Sequence, residues 1–166
     1  VLMLSLGYSP EEIKDKFINL DIRKYITGNH WWEELWDLMR HDGMHSTHAL
    51  AQLVISFITD KGFAADTTFG QFDDKVRAAH AEEQRTGHRD SRRRLRHPRF
   101  KAYNVSRTAE VTLSATDEDG KYRDLPLWKA AITSMAYPGF FEKQQVQGEI
   151  MCDGGVECNF AVNDYD

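Results

Sequence analysis

The hydrophobic texture of this chain changes once, near Phe100, and that change limits the folds open to it. Before Phe100 the apolar residues recur at helical spacing; after it, β-rich segments surround a single further helix. The helical half opens on SPEE at 9–12, where Ser9 can cap, Pro10 suits the first helical position and Glu12 completes a capping box. Ile13, Phe17 and Leu20 then fall on one face. A second helix is predicted after His30, with Trp31, Leu35 and Leu38 on one side and an end near Gly43. A third spans about 47–61, burying Leu50, Leu53, Val54, Phe57 and Ile58, with Gly62 placed to terminate it. TTFGQFDDKVRAAHAEEQ is a further amphipathic piece. Beyond Phe100, FKAYNVS and AEVTLSAT read as paired strands, DEDG at 117–120 as a turn, and LPLWKAAITSMA as a helix stopped by Tyr137-Pro138-Gly139. GEIMC is a short strand that delivers Asp153 onto two glycines. There is no internal repeat, and the mixture predicts an α/β domain.

The 166 residues suffice for one domain with a real core. The longest apolar runs, such as LVISFI at 53–58, fall far short of the roughly 20 residues of a membrane-spanning helix. No basic stretch followed by an apolar core marks a signal peptide, so a cytoplasmic or peripheral-membrane location is expected. The chain does not begin with methionine, and VLMLSL reads as the apolar end of an element already under way, so a fragment is expected. Cys152 and Cys158 are too few for a disulfide framework and lack the second pair that zinc needs; they are expected to be bystander thiols. Charge is unevenly spread. Residues 85–101 carry +7, while the chain as a whole carries −5 and the remainder therefore −12. Arg92, Arg93, Arg94 and Arg96 make that stretch a candidate contact for an anionic lipid surface. It lacks the aromatic interleaving or module of a nucleic-acid binder, so no nucleic-acid partner is expected.

Three further motifs have ordinary readings. His41, His45 and His48 have a spacing that metals use, but Asp42-Gly43 breaks the helix that would align them, and no acidic helper follows. They are read as solvated loop histidines, with no metal site. GYSPE at 7–11 approaches the G-x-S-x-G elbow of serine hydrolases, yet lacks its last glycine and has a proline after the serine. Ser9 is a cap. Asp153-Gly154-Gly155 taken alone is most simply a turn.

Its surroundings change that reading. LWKAAITSMAYPGFF at 127–141 followed by IMCDGGVECNFAV at 150–162 resembles the end of the patatin-like phospholipase family. There an Ala/Ser-rich helix and a proline turn precede a D-G-G/A motif and an asparagine. LGYSPEEI at 6–13 is similar to the junction after that family's nucleophile helix, TTFGQF at 67–72 to its T-F-x-x-L segment, and AYNVSRTAEVTLSAT to its paired strands. The likeness covers nearly the whole chain in the correct order, and its D-G-G end is the specific part.

The resemblance implies a patatin-like three-layer α/β fold, here incomplete at the N-terminus, and a lipid acyl hydrolase acting on phospholipid or another lipid ester. It implies a serine–aspartate dyad with no metal or organic cofactor. Asp153 matches the aspartate, Gly154 and Gly155 the motif glycines, and Ser134, Pro138 and Asn159 structural positions of the family. Ala161 stands where the family has proline. The larger departure is that neither G-x-S-x-G nor a glycine-rich oxyanion loop occurs in these residues. In the family both precede the junction at 6–13, so the nucleophile is expected upstream of Val1. Two other readings stand beside the hydrolase: a non-catalytic module that docks a partner or membrane, and an anionic-surface binder centred on 85–101.

Overall fold

The computed structural model describes residues 1–20, 47–87 and 94–156. The helix expected after His30 lies outside them, as do His41, His45, Arg92, Arg93, Cys158 and Asn159. Helices α1 (Leu2–Ser5), α2 (Pro10–Ile18), α3 (His48–Thr59) and α4 (Phe69–Thr86) precede the strands β1 (Phe100–Asn104) and β2 (Ala109–Leu113). Helix α5 (Leu127–Met135) follows, then β3 (Gln144–Val146) and β4 (Glu149–Asp153). The architecture is the α/β class that the sequence predicts.

Helix starts obey local chemistry. Ser9 Oγ accepts from the Glu12 N–H at 3.2 Å, and the Ser9 N–H donates to Glu12 Oε2 at 2.7 Å, with Pro10 at the first position. Thr68 and Gln71 repeat this reciprocal arrangement at the start of α4. Gly87 ends α4 in the left-handed region, where a side chain would be strained. Gly62 does the same just beyond α3. The buried face of α3 is Ala51, Val54 and Ile58, with Leu50 and Phe57 packed beside it. The face predicted for α2 is corrected in part: Ile13 packs against the core, but Phe17 turns outward and no residue of α2 is fully buried. A single helical stripe read from sequence does not say which neighbour covers it.

The junction before α2 is tied to α3 by Tyr8. Its ring is buried, its hydroxyl donates to the Phe57 carbonyl at 2.9 Å, and the Lys61 ammonium sits 4.1 Å from the ring centroid. Burial, reinforced by Asp60 and Glu12, pushes the Tyr8 phenol up to about 12. Lys61 also pairs with Glu12 at 3.0 Å, so the capping residue links two helices.

The four strands form one antiparallel sheet in the order β2-β1-β4-β3. Phe100 pairs with Leu113 and Asn104 with Ala109 along the first hairpin. Phe100, Ala102 and Asn104 point inward, so alternation along β1 builds one core face. Asn104 is a buried amide, and it is satisfied: Nδ2 donates to Glu149 Oε2 at 2.9 Å and Oδ1 accepts from the Arg107 N–H at 3.0 Å. Strand β3 was not foreseen. Gln147 and Gly148 both take positive φ, 50° and 81°, and close a tight hairpin that pairs it with β4. Helix α5 buries Leu127, Ala130, Ala131, Ile132 and Thr133, packs on β1 and β4, and also contacts α3. Its small side chains permit that close approach.

Candidate active site

Asp153 is the last residue of β4, opposite Ala102 of the central strand β1. Its backbone N–H donates to the Ala136 carbonyl at 3.0 Å, just past the end of α5. Strand pairing and that bond fix the Cα from two sides. The side chain is oriented separately, because Oδ1 accepts from the Gly155 N–H at 2.8 Å. The carboxylate is therefore only partly exposed and held by its own turn, a short 3-10 segment over Gly154–Val156.

Gly154 is needed for a reason that the motif alone does not reveal. A Cβ built there would lie 2.7 Å from the carbonyl carbon and Cβ of Lys101 and 2.8 Å from its carbonyl oxygen. The backbone of β1 occupies the space a side chain would take. Within this tight turn, the close approach of the β1 backbone also excludes a side chain at Gly154. Gly154→Ala is expected to lower the melting temperature by several degrees. Overpacking costs about 1–3 kcal/mol, and each kcal/mol shifts a domain of this size by about 2–4 °C. A circular-dichroism melt checks this; an unchanged midpoint would mean that the turn and β1 separate freely.

Cys152 is a free, buried thiol beside the aspartate. Burial first, and then the charge of Asp153, pushes its pKa up against a smaller opposing effect of Lys143. A thiol held protonated is a poor nucleophile, which fits a bystander. Ser134 is half-buried in the last turn of α5, where it borders an apolar groove of about 370 Å³. Leu4, Ile13, Phe17, Val54, Phe57 and Met135 are among its walls. Pro138 lies in the exposed loop that stops α5 and bridges to Phe141. Ser9 is committed to its cap. His48 is an exposed helix residue at the start of α3 rather than a loop histidine. Among the described residues no three His, Cys, Asp or Glu side chains are grouped to hold a metal ion, and no helix is long and apolar enough to cross a membrane.

The described arginines of the basic stretch have partners within the chain. Arg94 Nε lies 2.9 Å from Glu83 Oε2, and the Arg96 guanidinium donates to the Leu4 and Arg94 carbonyls at 3.2 and 3.3 Å. The Arg96 N–H also donates to the Ser5 carbonyl at 3.1 Å, tying the segment to α1. One residue overlooked in the sequence is Lys129, a lysine on the Ala-rich helix α5. Burial lowers its pKa, and Nζ donates to Gln144 Oε1 at 2.8 Å, on the strand that flanks β4. A lysine amid core-facing alanines was the available signal.

With an aspartate delivered by a strand onto two glycines, after a small-residue helix and a proline turn, the comparison of the whole chain is informative. Residues 1–164 match the family model of the patatin-like phospholipases. The chain belongs to the patatin-like phospholipase family. The comparison with curated proteins returned no match. The family acts on lipid esters, which supports a lipid substrate. The mixed helices and antiparallel sheet fit the α/β patatin-like fold.

Proposed function

We propose that Asp153 is the general base of a serine–aspartate dyad that hydrolyses phospholipid or another lipid ester, and that the serine is supplied from outside these 166 residues. The observation that carries this reading is the double anchoring of Asp153, by the Ala136 carbonyl at its backbone and the Gly155 N–H at its carboxylate. A base must stand still while a proton moves, and a carboxylate with one oxygen held presents the other in a fixed direction. In the proposed cycle that second oxygen takes the proton from the serine hydroxyl as it attacks the acyl carbonyl. Asp153 then returns the proton to the departing alcohol. In the second half it deprotonates the water that releases the fatty acid. Backbone amides upstream would stabilise the oxyanion. The dyad needs no metal or organic cofactor. Turnover of a water-soluble short-chain ester by a polypeptide extended through the upstream coding sequence tests the proposal. Activity that depends on Asp153 supports it, and an extended protein inert toward esters contradicts it.

The +7 stretch favours a second reading, in which this region docks on an anionic membrane whether or not the chain is catalytic. Arg94 and Arg96 also serve internal bonds, so reversing their charge would disturb the chain as well as any surface contact. Arg92→Glu with Arg93→Glu is expected to weaken binding to anionic vesicles, and wild-type binding should fade as salt shortens the Debye length. Wild-type protein that ignores anionic vesicles at low salt would leave the stretch as a solvated segment.

A further inference from the structure

The loop that stops α5 turns large apolar side chains outward beside Asp153. Tyr137 is 52% exposed, Phe140 57% and Met135, at the end of α5, 40%. The rings of Tyr137 and Phe140 pack on each other, with centroids 6.0 Å apart, so they form one knob instead of two independent side chains. The knob is braced. The Phe140 and Phe141 N–H groups both donate to the Tyr137 carbonyl, at 3.2 and 3.1 Å, and Pro138 pairs with Phe141. Ala136, the residue before Tyr137, is the one whose carbonyl holds the Asp153 N–H. Val156, 50% exposed, ends the turn after Asp153, and that turn packs against α5. Scattered exposed apolar residues need no explanation. Here they belong to the two segments next to Asp153: the loop that holds its backbone N–H and the turn that follows it.

We propose that this aromatic loop is a bilayer-contact surface, which inserts at the lipid–water interface and sets Asp153 at the membrane edge. It rests on the lipid-ester reading of the site. Size argues against a protein partner. Aromatic side chains bury about 150–250 Å² each, so four half-exposed side chains offer on the order of 400 Å². A stable protein interface takes about 800 Å² from each partner. A bilayer needs no such area, and a tyrosine with an apolar ring and a polar tip suits its interface. The adjoining charges, Glu142 and Lys143, cancel, so this contact does not depend on anionic lipid. Met135 also lines the apolar groove, which makes the surface continuous from knob to groove.

Cosedimentation of the chain with zwitterionic phosphatidylcholine vesicles at high salt isolates this contact from the basic stretch. Wild-type protein is expected to bind, Tyr137→Ser with Phe140→Ser to bind at least about tenfold more weakly, and Phe140→Trp to bind as wild type does. Because both rings are more than half exposed, the double variant should melt as wild type does. Equal binding by the double variant, no wild-type binding to neutral vesicles, or a variant that changes only self-association would each overturn the proposal. The dyad is judged separately. In the upstream-extended protein the double variant should keep its turnover of a water-soluble ester while losing that of vesicle-borne lipid. A wild type inert toward the soluble ester fails the functional reading even where the knob binds vesicles.

Discussion

Asp153→Asn in the upstream-extended protein is expected to lower kcat/KM on a short-chain ester by roughly 100-fold or more, while the melting temperature barely moves. The size follows from the usual contribution of a general base, about 10²–10⁴-fold. The thermal neutrality follows from the contacts. The Asn carbonyl oxygen can still accept from the Gly155 N–H, and the backbone bond to Ala136 is unaffected. The substitution removes basicity and keeps shape. Cys152→Ser serves as the control beside it, since the proposed dyad gives this buried thiol no role. Most activity should remain. An active Asp153→Asn paired with a dead Cys152→Ser would place the chemistry on the wrong neighbour.

The second expected result is larger in magnitude. The 166-residue chain supplied alone should release no product above background, because no G-x-S-x-G occurs in it. Removing a serine nucleophile typically costs on the order of 10⁶-fold in kcat, so this is close to an all-or-none comparison. Among the described serines, Ser114 donates to Asp117 within the turn after β2. Ser9 is engaged in a helix cap, and Ser134 sits at the end of α5 beside an apolar groove. Initial rates of the chain and of the extended protein on the same ester make the comparison. Measurable turnover by the chain alone would require a nucleophile among its own residues.

What could be read from the sequence was local or strongly periodic. Ser9-Pro10-Glu11-Glu12 announces its helix because cap and partner are three residues apart, and the structure makes both bonds. Gly62 and the Tyr137-Pro138-Gly139 stop are legible for the same reason. The β1–β2 hairpin is legible because its strands are neighbours in the chain. The features that escaped depend on distant partners. Phe17 has helical spacing, yet whether it meets the core depends on what lies opposite. Strand β3 is three residues long, two of them glutamine, so only its Gln147-Gly148 turn carried a signal. The steric demand at Gly154 comes from Lys101, more than fifty residues earlier in the chain, and no local pattern encodes it. The D-G-G motif singles out Asp153, whereas the backbone bond from Asp153 to Ala136 emerges only when α5 and β4 meet.

The dyad can be tested in a single labelling experiment. A fluorophosphonate reacts with an activated serine, and the adduct can be mapped by peptide mass spectrometry in the upstream-extended protein. The adduct is expected on a serine preceding Val1, forming at least about 100-fold more slowly in Asp153→Asn, as loss of a general base requires. An adduct on a serine within residues 1–166, or one that forms as fast without the Asp153 carboxylate as with it, would contradict the assignment of Asp153 as that serine's base.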